Sequence, residues 1–189
     1  MFIYIYKYMK NTFSCPAYMI FACDNKYGIG FNESLPNWNL RNDLHRFKRL
    51  TSGEGNNFIV MGKTTWLSLN KRPLANRTNI ILSTTMDKNT KYDNVVIKST
   101  KAEIYEYIER HKKENSQVWI IGGAQVYKSY LHEVDKVYWS HADGCFTSNV
   151  FLDDEVIRFL NNQKWNVDEH YSSLEMYDNY KFKVCNVKK

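Results

Sequence analysis

Asp43 stands alone as an acid on an apolar helical stripe. The pattern predicts a helix over residues 40–50, with Leu40, Leu44, Phe47 and Leu50 recurring at helical spacing. Arg41, Asn42, His45, Arg46, Lys48 and Arg49 fall off the stripe. Asp43 lies three residues after Leu40 and four before Phe47, which places it on the inward face. Burying an ionised carboxylate without partners is costly, so the chain must gain something from it. Two accounts fit. One is a structural ion pair or a hydrogen bond to a turn; the other is a site acid in a semi-apolar pocket with a raised pKa.

Glycines supply the second set of signals. Gly28-Ile29-Gly30 has Glu33 where the Rossmann fingerprint needs a third glycine. Gly62-Lys63-Thr64 imitates the end of a P-loop, but Asn57 occupies the position of that motif's first glycine, which argues against a nucleoside triphosphatase. A weaker inference survives. A strand followed by Gly-Lys-Thr-Thr at a helix start offers free N–H groups and a cation to an anion. Ile120-Ile121-Gly122-Gly123-Ala124-Gln125 repeats the arrangement, and paired glycines let the backbone approach a ligand closely. A tight strand-to-helix turn is the alternative reading of both.

The elements that must hold these residues alternate between strand and helix. Apolar runs at 17–23, 58–61, 79–82, 95–97, 118–121 and 135–140 read as strands, and 165–171 with 180–187 as an antiparallel pair. Thr100-Lys101-Ala102-Glu103 fits a capping box before Ile104, Tyr107 and Ile108. Residues 63–69 and 123–131 are short helices. The order predicts a layered α/β domain.

Composition sets the outer limits. The chain has 189 residues, 43% hydrophobic and 24% charged, which suits one domain with a sizeable core. Its net charge is +6 and its pI about 9.0. Lys and Arg are spread along the whole length, so a polyanionic small ligand fits better than nucleic acid. No segment reaches the ~20 apolar residues of a membrane span. Cys15, Cys23, Cys145 and Cys185 form no metal-ligand spacing, so no metal is expected. Scattered cysteines suit a reducing, cytoplasmic compartment. Residues 1–16 read as an N-terminal extension, either frayed, an extra edge strand or a weak targeting segment, ahead of one domain at 17–189.

Taken in order, the motifs resemble the dihydrofolate reductase family over about residues 17–187. They are Gly28-Ile29-Gly30, Leu35-Pro36, Leu40-Arg41-Asn42-Asp43-Leu44-x-x-Phe47-Lys48, Val60-Met61-Gly62-Lys63-Thr64-Thr65-Trp66, Arg72-Pro73-Leu74 with Arg77, Ile81-Leu82-Ser83, Ile121-Gly122-Gly123-Ala124-x-x-Tyr127 and Phe151-x-Asp153. The resemblance implies a single α/β domain with an eight-stranded, mostly parallel sheet, helices on both faces and a C-terminal antiparallel hairpin. It implies NADPH as cofactor, dihydrofolate and methotrexate-like antifolates as ligands, a role in one-carbon and thymidylate metabolism, and a monomer.

It also implies roles. Asp43 would hydrogen-bond pteridine N3 and the 2-amino group, linked to the hydroxyl of Ser140. Ala22, Leu35, Leu44, Phe47, Leu69, Ile121 and Tyr127 would line the substrate, and Arg77 would grip the α-carboxylate of its glutamate tail. Ala22, Ile29, Gly30, Gly62, Lys63, Thr64, Thr65, Leu82, Gly122, Gly123, Ala124, Gln125, Val126 and Tyr127 would meet the cofactor. Lys63, Ser83, Thr84 and Lys98 would hold its 2′-phosphate, and residues 30–36 would form a loop closing over the nicotinamide. Asp43 would polarise the pteridine while water protonates N5.

Two departures stand out. The family carries Trp after Leu-Pro, whereas this chain has Asn37-Trp38. Ungapped spacing from Leu35 to Asp43 puts Asn37 in the Trp position; the alternative is a loop that absorbs one residue. Ser140 replaces the family's Thr. The rivals are the pyrimidine reductase of riboflavin synthesis, which lacks the acid on the first helix, and a non-catalytic nucleotide- or RNA-binding relative.

Overall fold

A computed structural model describes residues 12–38, 41–54, 56–167 and 180–187. Its centre is an eight-stranded sheet in the order β5-β4-β3-β6-β1-β7-β10-β9. These strands are β1 (Ala17–Cys23), β3 (Asn57–Gly62), β4 (Arg77–Leu82), β5 (Val95–Lys98), β6 (Val118–Gly122), β7 (Lys136–Ala142), β9 (Asn166–Val167) and β10 (Tyr180–Asn186). The six from β5 to β7 pair in parallel, and β10 is antiparallel to both β7 and β9. Central strands read as near-continuous apolar runs because both faces are covered.

Parity along each strand sorts the core into two layers. Met19, Phe21, Phe58, Val60, Ile80 and Ile120 face α3 (Lys101–His111), α4 (Ala124–Tyr130) and α5 (Asp154–Asn161), meeting Ile104, Ile108, Tyr130, Val156 and Leu160. Ile20, Ile59, Met61, Ile81 and Trp119 face the other way, toward α1 (Arg41–Ser52) and α2 (Lys63–Ser68). Phe13, in the segment expected as an extension, packs on the rings of Tyr105 and Tyr130. Most of that extension, and residues 168–171 of the expected hairpin strand, lie outside the described residues.

The capping box forms in a shifted version. Thr100 Oγ1 accepts from Glu103 N at 3.2 Å, while the Glu103 carboxylate accepts from Ser99 N rather than from Thr100. Two elements have no counterpart in the sequence reading. One is α5, whose N-cap Asp153 accepts from Glu155 N. The other is the small ladder of β2 (Gly28–Gly30) with β8 (Val150–Phe151).

The face of α1 differs from the expected stripe. Its deeply buried residues are Asp43, Arg46 and Thr51; Phe47 and Leu50 are half-buried and Leu44 is 50% exposed. Leu40 lies outside the described residues. Arg46, which falls off that stripe, is in fact buried. It sits three residues after Asp43, on the same helical face.

Candidate active site

Two of the three groups of side chains lie toward the C-terminal ends of the parallel strands; the other runs along α1 to Arg77, the first residue of β4. The first group surrounds Asp43. Ala22, Ser140 and Phe182 lie side by side on β1, β7 and β10, and the first turn of α1 crosses this row. Ser140, fully buried, is hydrogen-bonded to the Asp43 carboxylate, and Arg46 Nη1 donates to Ser140 Oγ at 3.2 Å. Burial pushes the Asp43 carboxyl above its ordinary range; the Ser140 hydrogen bond and the Arg46 charge pull the other way.

Asp24 is a useful contrast. It too is a buried carboxylate, and it accepts from Lys26 N, Gly28 N and Phe146 N at 2.8–2.9 Å. It spends its oxygens on backbone and ties the loop after β1 to the loop after β7. Asp43 is instead held by the side chains of Ser140 and Arg46, which leaves it the better candidate for a site acid.

The second group follows α1 along its axis. Asp43, Phe47 and Thr51 are spaced four apart, so they form one row about 12 Å long at about 1.5 Å per residue. At its far end Arg77 Nη1 donates to Thr51 Oγ1 at 2.7 Å, and Arg77 Nε donates to Ala75 O at 2.9 Å. The Arg77 guanidinium also lies 5.9 Å from the Phe47 ring centroid. Burial lowers the Arg77 pKa from its ordinary value. Leu44 lies on the exposed edge of α1, and Leu69, with Ile121, is half-buried against the α1–α2 side of the core. Thr51 escaped the sequence reading, although its spacing from Asp43 was the signal.

The third group is a pair of strand-to-helix junctions. Gly62 and Gly123 are the N-caps of α2 and α4, and neither helix has a side-chain cap. Gly122 has φ +114°, and a Cβ there would come within 2.8 Å of the Tyr127 hydroxyl. A Cβ on Gly62 would lie 3.2 Å from Val126, and one on Gly123 3.5 Å from Thr65. Gly122 therefore requires glycine and Gly62 is tightly packed, while Gly123 would accept a Cβ at ordinary contact distance; the two junctions face each other because β3 and β6 are neighbours. Tyr127 is buried, and its hydroxyl donates to backbone carbonyls, 2.7 Å from Ile121 O and 3.1 Å from Ile20 O. Ala124 is half-buried, Gln125 exposed and Val126 buried in the core.

Beside these junctions β4 and β5 end together. Leu82 pairs with Lys98, and Ser83 N donates to Lys98 O. Lys63 and Thr64 are exposed at the start of α2, and Lys63 Nζ donates to Thr85 Oγ1 at 3.1 Å. Thr84 is exposed, but Ser83 Oγ is committed to Thr85 N and Met86 N at 3.2 Å each. Thr85 is a neighbour that sequence reasoning missed.

The loop before α1 resolves the Asn37-Trp38 alternative in terms of packing. Asn37 is exposed, whereas Trp38 is buried with Ala142 and Phe182, against Ala22 and Phe146. The ungapped spacing favoured Asn37, but the indole that packs beside the Asp43 site is Trp38. Leu35 is 49% exposed in the same loop, and Ile29 and Gly30 precede it on β2.

This fold and these junctions define an α/β domain with two glycine strand-to-helix junctions beside a helix that carries a buried acid. The family model described as dihydrofolate reductase matches residues 17–189, and the chain belongs to that family. It is 37% identical over 126 residues to the dihydrofolate reductase of Bos taurus, covering 62% of this chain and 67% of the bovine one. It is 33% identical over 122 residues to the bifunctional dihydrofolate reductase-thymidylate synthase of Paramecium tetraurelia, covering 65% of this chain but only 23% of that protein. In three dimensions it resembles the Enterococcus faecalis dihydrofolate reductase complexed with NADP(H) and RAB-propyl. That match has a TM-score of 0.71 at 24% identity, over 94% of this chain and 99% of the other. Among the described residues no helix is long and apolar enough to cross a membrane.

Proposed function

We propose that this protein reduces 7,8-dihydrofolate to 5,6,7,8-tetrahydrofolate with NADPH. The observation that carries this is Asp43, a buried acid with a raised pKa, held by Ser140 at the head of a helical row that ends in Arg77. A flat heterocycle with adjacent N–H donors suits a carboxylate, and a glutamate tail suits the guanidinium fork bonded to Thr51 at the far end of the row.

The chain's residues fit the dinucleotide. Gly122, where a Cβ would strike Tyr127, keeps its backbone bare, and the uncapped starts of α2 and α4 offer N–H groups to a diphosphate. Lys63, with Thr64, Thr84 and Lys98, is the group to hold a 2′-phosphate, although the Lys98 ammonium rests 5.0 Å from the Tyr107 ring centroid. Ser83, whose oxygen already accepts from two backbone N–H groups, has only its hydroxyl hydrogen left for this. Bound NADPH supplies a hydride to pteridine C6. Asp43 accepts from N3–H and the 2-amino group, orients the ring and raises the basicity of N5, which takes its proton from water. Leu44, Phe47, Leu69, Ile121 and Ala22 exclude water around the ring, and Leu35 closes over it from the loop of residues 30–36. The Tyr127 hydroxyl braces β1 and β6, so its ring edge is the part that meets ligands.

The same reading gives a cytoplasmic monomer that binds methotrexate-like antifolates. A pyrimidine reductase of riboflavin synthesis fits less well, because it has no use for Asp43 paired with Arg77. Purified protein should oxidise NADPH when given dihydrofolate, with methotrexate blocking the reaction. Absence of turnover at micromolar enzyme would contradict the assignment.

A further inference from the structure

Arg46 is 1% exposed, an unusual state for a guanidinium. Its charged head lies 4.5 Å from the Phe182 ring centroid and 5.6 Å from that of Tyr138, so two aromatic faces wall it off. The sheet register builds this cage. Phe182 stands opposite Ser140 across β10 and β7, and Tyr138 lies two residues before Ser140 on the same face. Ser140 joins the cage to the site: its oxygen accepts from Arg46 Nη1, which leaves the hydroxyl hydrogen for Asp43.

We propose that Arg46 is a positioning residue, a caged cation that acts through Ser140 to hold Asp43 as a carboxylate aimed at the pteridine. The proposal rests on the reductase reading of this cleft. A protonated Asp43 cannot accept both the N3–H and the 2-amino hydrogen bonds, so the balance that keeps it ionised sets the acid limit of productive substrate binding. Burial works against the carboxylate, and Arg46 works for it. Among the described residues, the following groups face the pair. From its own helix Asp43 faces Arg46. From β7 come Ser140 and Tyr138, from β10 the uncharged Phe182, and from α4 Tyr127, whose hydroxyl is turned to backbone carbonyls. Among these described groups Arg46 is the cation acting on Asp43. A lysine at that place would supply charge but no planar fork to lie between two rings while bonding Ser140.

The test compares the unmodified protein with Arg46→Met, Arg46→Gln and Arg46→Lys. Two quantities are followed across pH: kcat/KM for dihydrofolate, and the 13C resonance of the Asp43 carboxyl in cofactor-free protein. In the neutral variants both midpoints should move upward together by about one pH unit, as expected for losing a nearby opposite charge. KM should rise below the shifted midpoint, and Arg46→Lys should restore much of the original profile. Variants that lose melting temperature and rate equally at every pH, with both midpoints in place, would overturn the proposal. Should neither neutral variant fold, the unmodified protein still decides. Its Arg46 guanidinium 15N resonances must titrate with the Asp43 midpoint, and resonances that stay still overturn the proposal. If the carboxyl and guanidinium are coupled but dihydrofolate is never reduced, the reductase reading fails and the coupling stands. If reduction occurs with unmoved midpoints, only the role of Arg46 fails.

Discussion

Arg77 Nη1 donates to Thr51 Oγ1 at 2.7 Å, two helical turns along α1 from Asp43. The contact fixes the fork of Arg77 relative to the acid, because Thr51 is itself held by donating to Phe47 O at 2.7 Å. One helix thus sets the spacing between Asp43 and Arg77, the groups proposed to meet the heterocycle and the tail.

Replacing Arg77 should therefore act on substrate affinity and little on chemistry. Arg77→Leu is expected to raise KM for dihydrofolate about 10- to 100-fold, the worth of a charge-assisted hydrogen bond, while kcat stays within a few-fold. A substrate lacking the glutamate tail should be indifferent to the change. Steady-state kinetics with both substrates checks this, and Thr51→Val should give a weaker version of the same effect.

Asp43→Asn should leave the fold intact and remove most activity, about 100-fold or more at neutral pH. The residual rate should rise as pH falls, because substrate then protonates itself in solution without help from the acid. Circular dichroism checks the fold and a pH series of initial rates checks the chemistry. A rate equal to that of the unmodified protein would make the acid structural.

The strand-to-helix junctions lead to a different kind of prediction. Gly122→Ala places a Cβ at φ +114° and within 2.8 Å of the Tyr127 hydroxyl. It should cost about 1–3 kcal/mol of stability and weaken NADPH binding at the same time. Thermal unfolding and cofactor titration measure the two effects.

Lys63→Gln should lower affinity for NADPH about tenfold and leave the affinity for NADH nearly unchanged, since only the former carries the 2′-phosphate. The ratio of the two binding constants is the informative quantity. An equal loss for both cofactors would move Lys63 from the 2′-phosphate to the diphosphate.

The legibility of this chain follows from its physics. Buried parallel strands announce themselves as apolar runs, so β1, β3, β4 and β6 were readable, and Gly122-Gly123 was readable because a backbone approach needs glycine. Sequence reasoning failed where charge and burial disagree. Arg46 falls off the apolar stripe, yet its three-residue spacing from Asp43 places both on one face. Thr51 was missed in the same way. The β2–β8 ladder is too short for periodicity to register. The α5 helix could have been found, since Asp153 precedes an acidic first turn and Val156 and Leu160 are buried four apart. Asn37 and Trp38 could not be separated by counting, because which one turns inward depends on the pocket made by Ala142, Phe182 and Phe146.

That pocket can be probed. Trp38→Ala should destabilise the domain by about 3–5 kcal/mol, the range for emptying a buried aromatic site, whereas Asn37→Ala should fall within about 0.5 kcal/mol. Denaturant unfolding of both variants decides which residue does the packing.

The most direct test of the central assignment is the loss of reduced-nicotinamide absorbance when dihydrofolate is added to purified protein and NADPH. The structure and its family predict dihydrofolate-dependent oxidation that stops on addition of methotrexate and largely disappears in Asp43→Asn. Oxidation that is absent, or that proceeds equally well in Asp43→Asn, would contradict it.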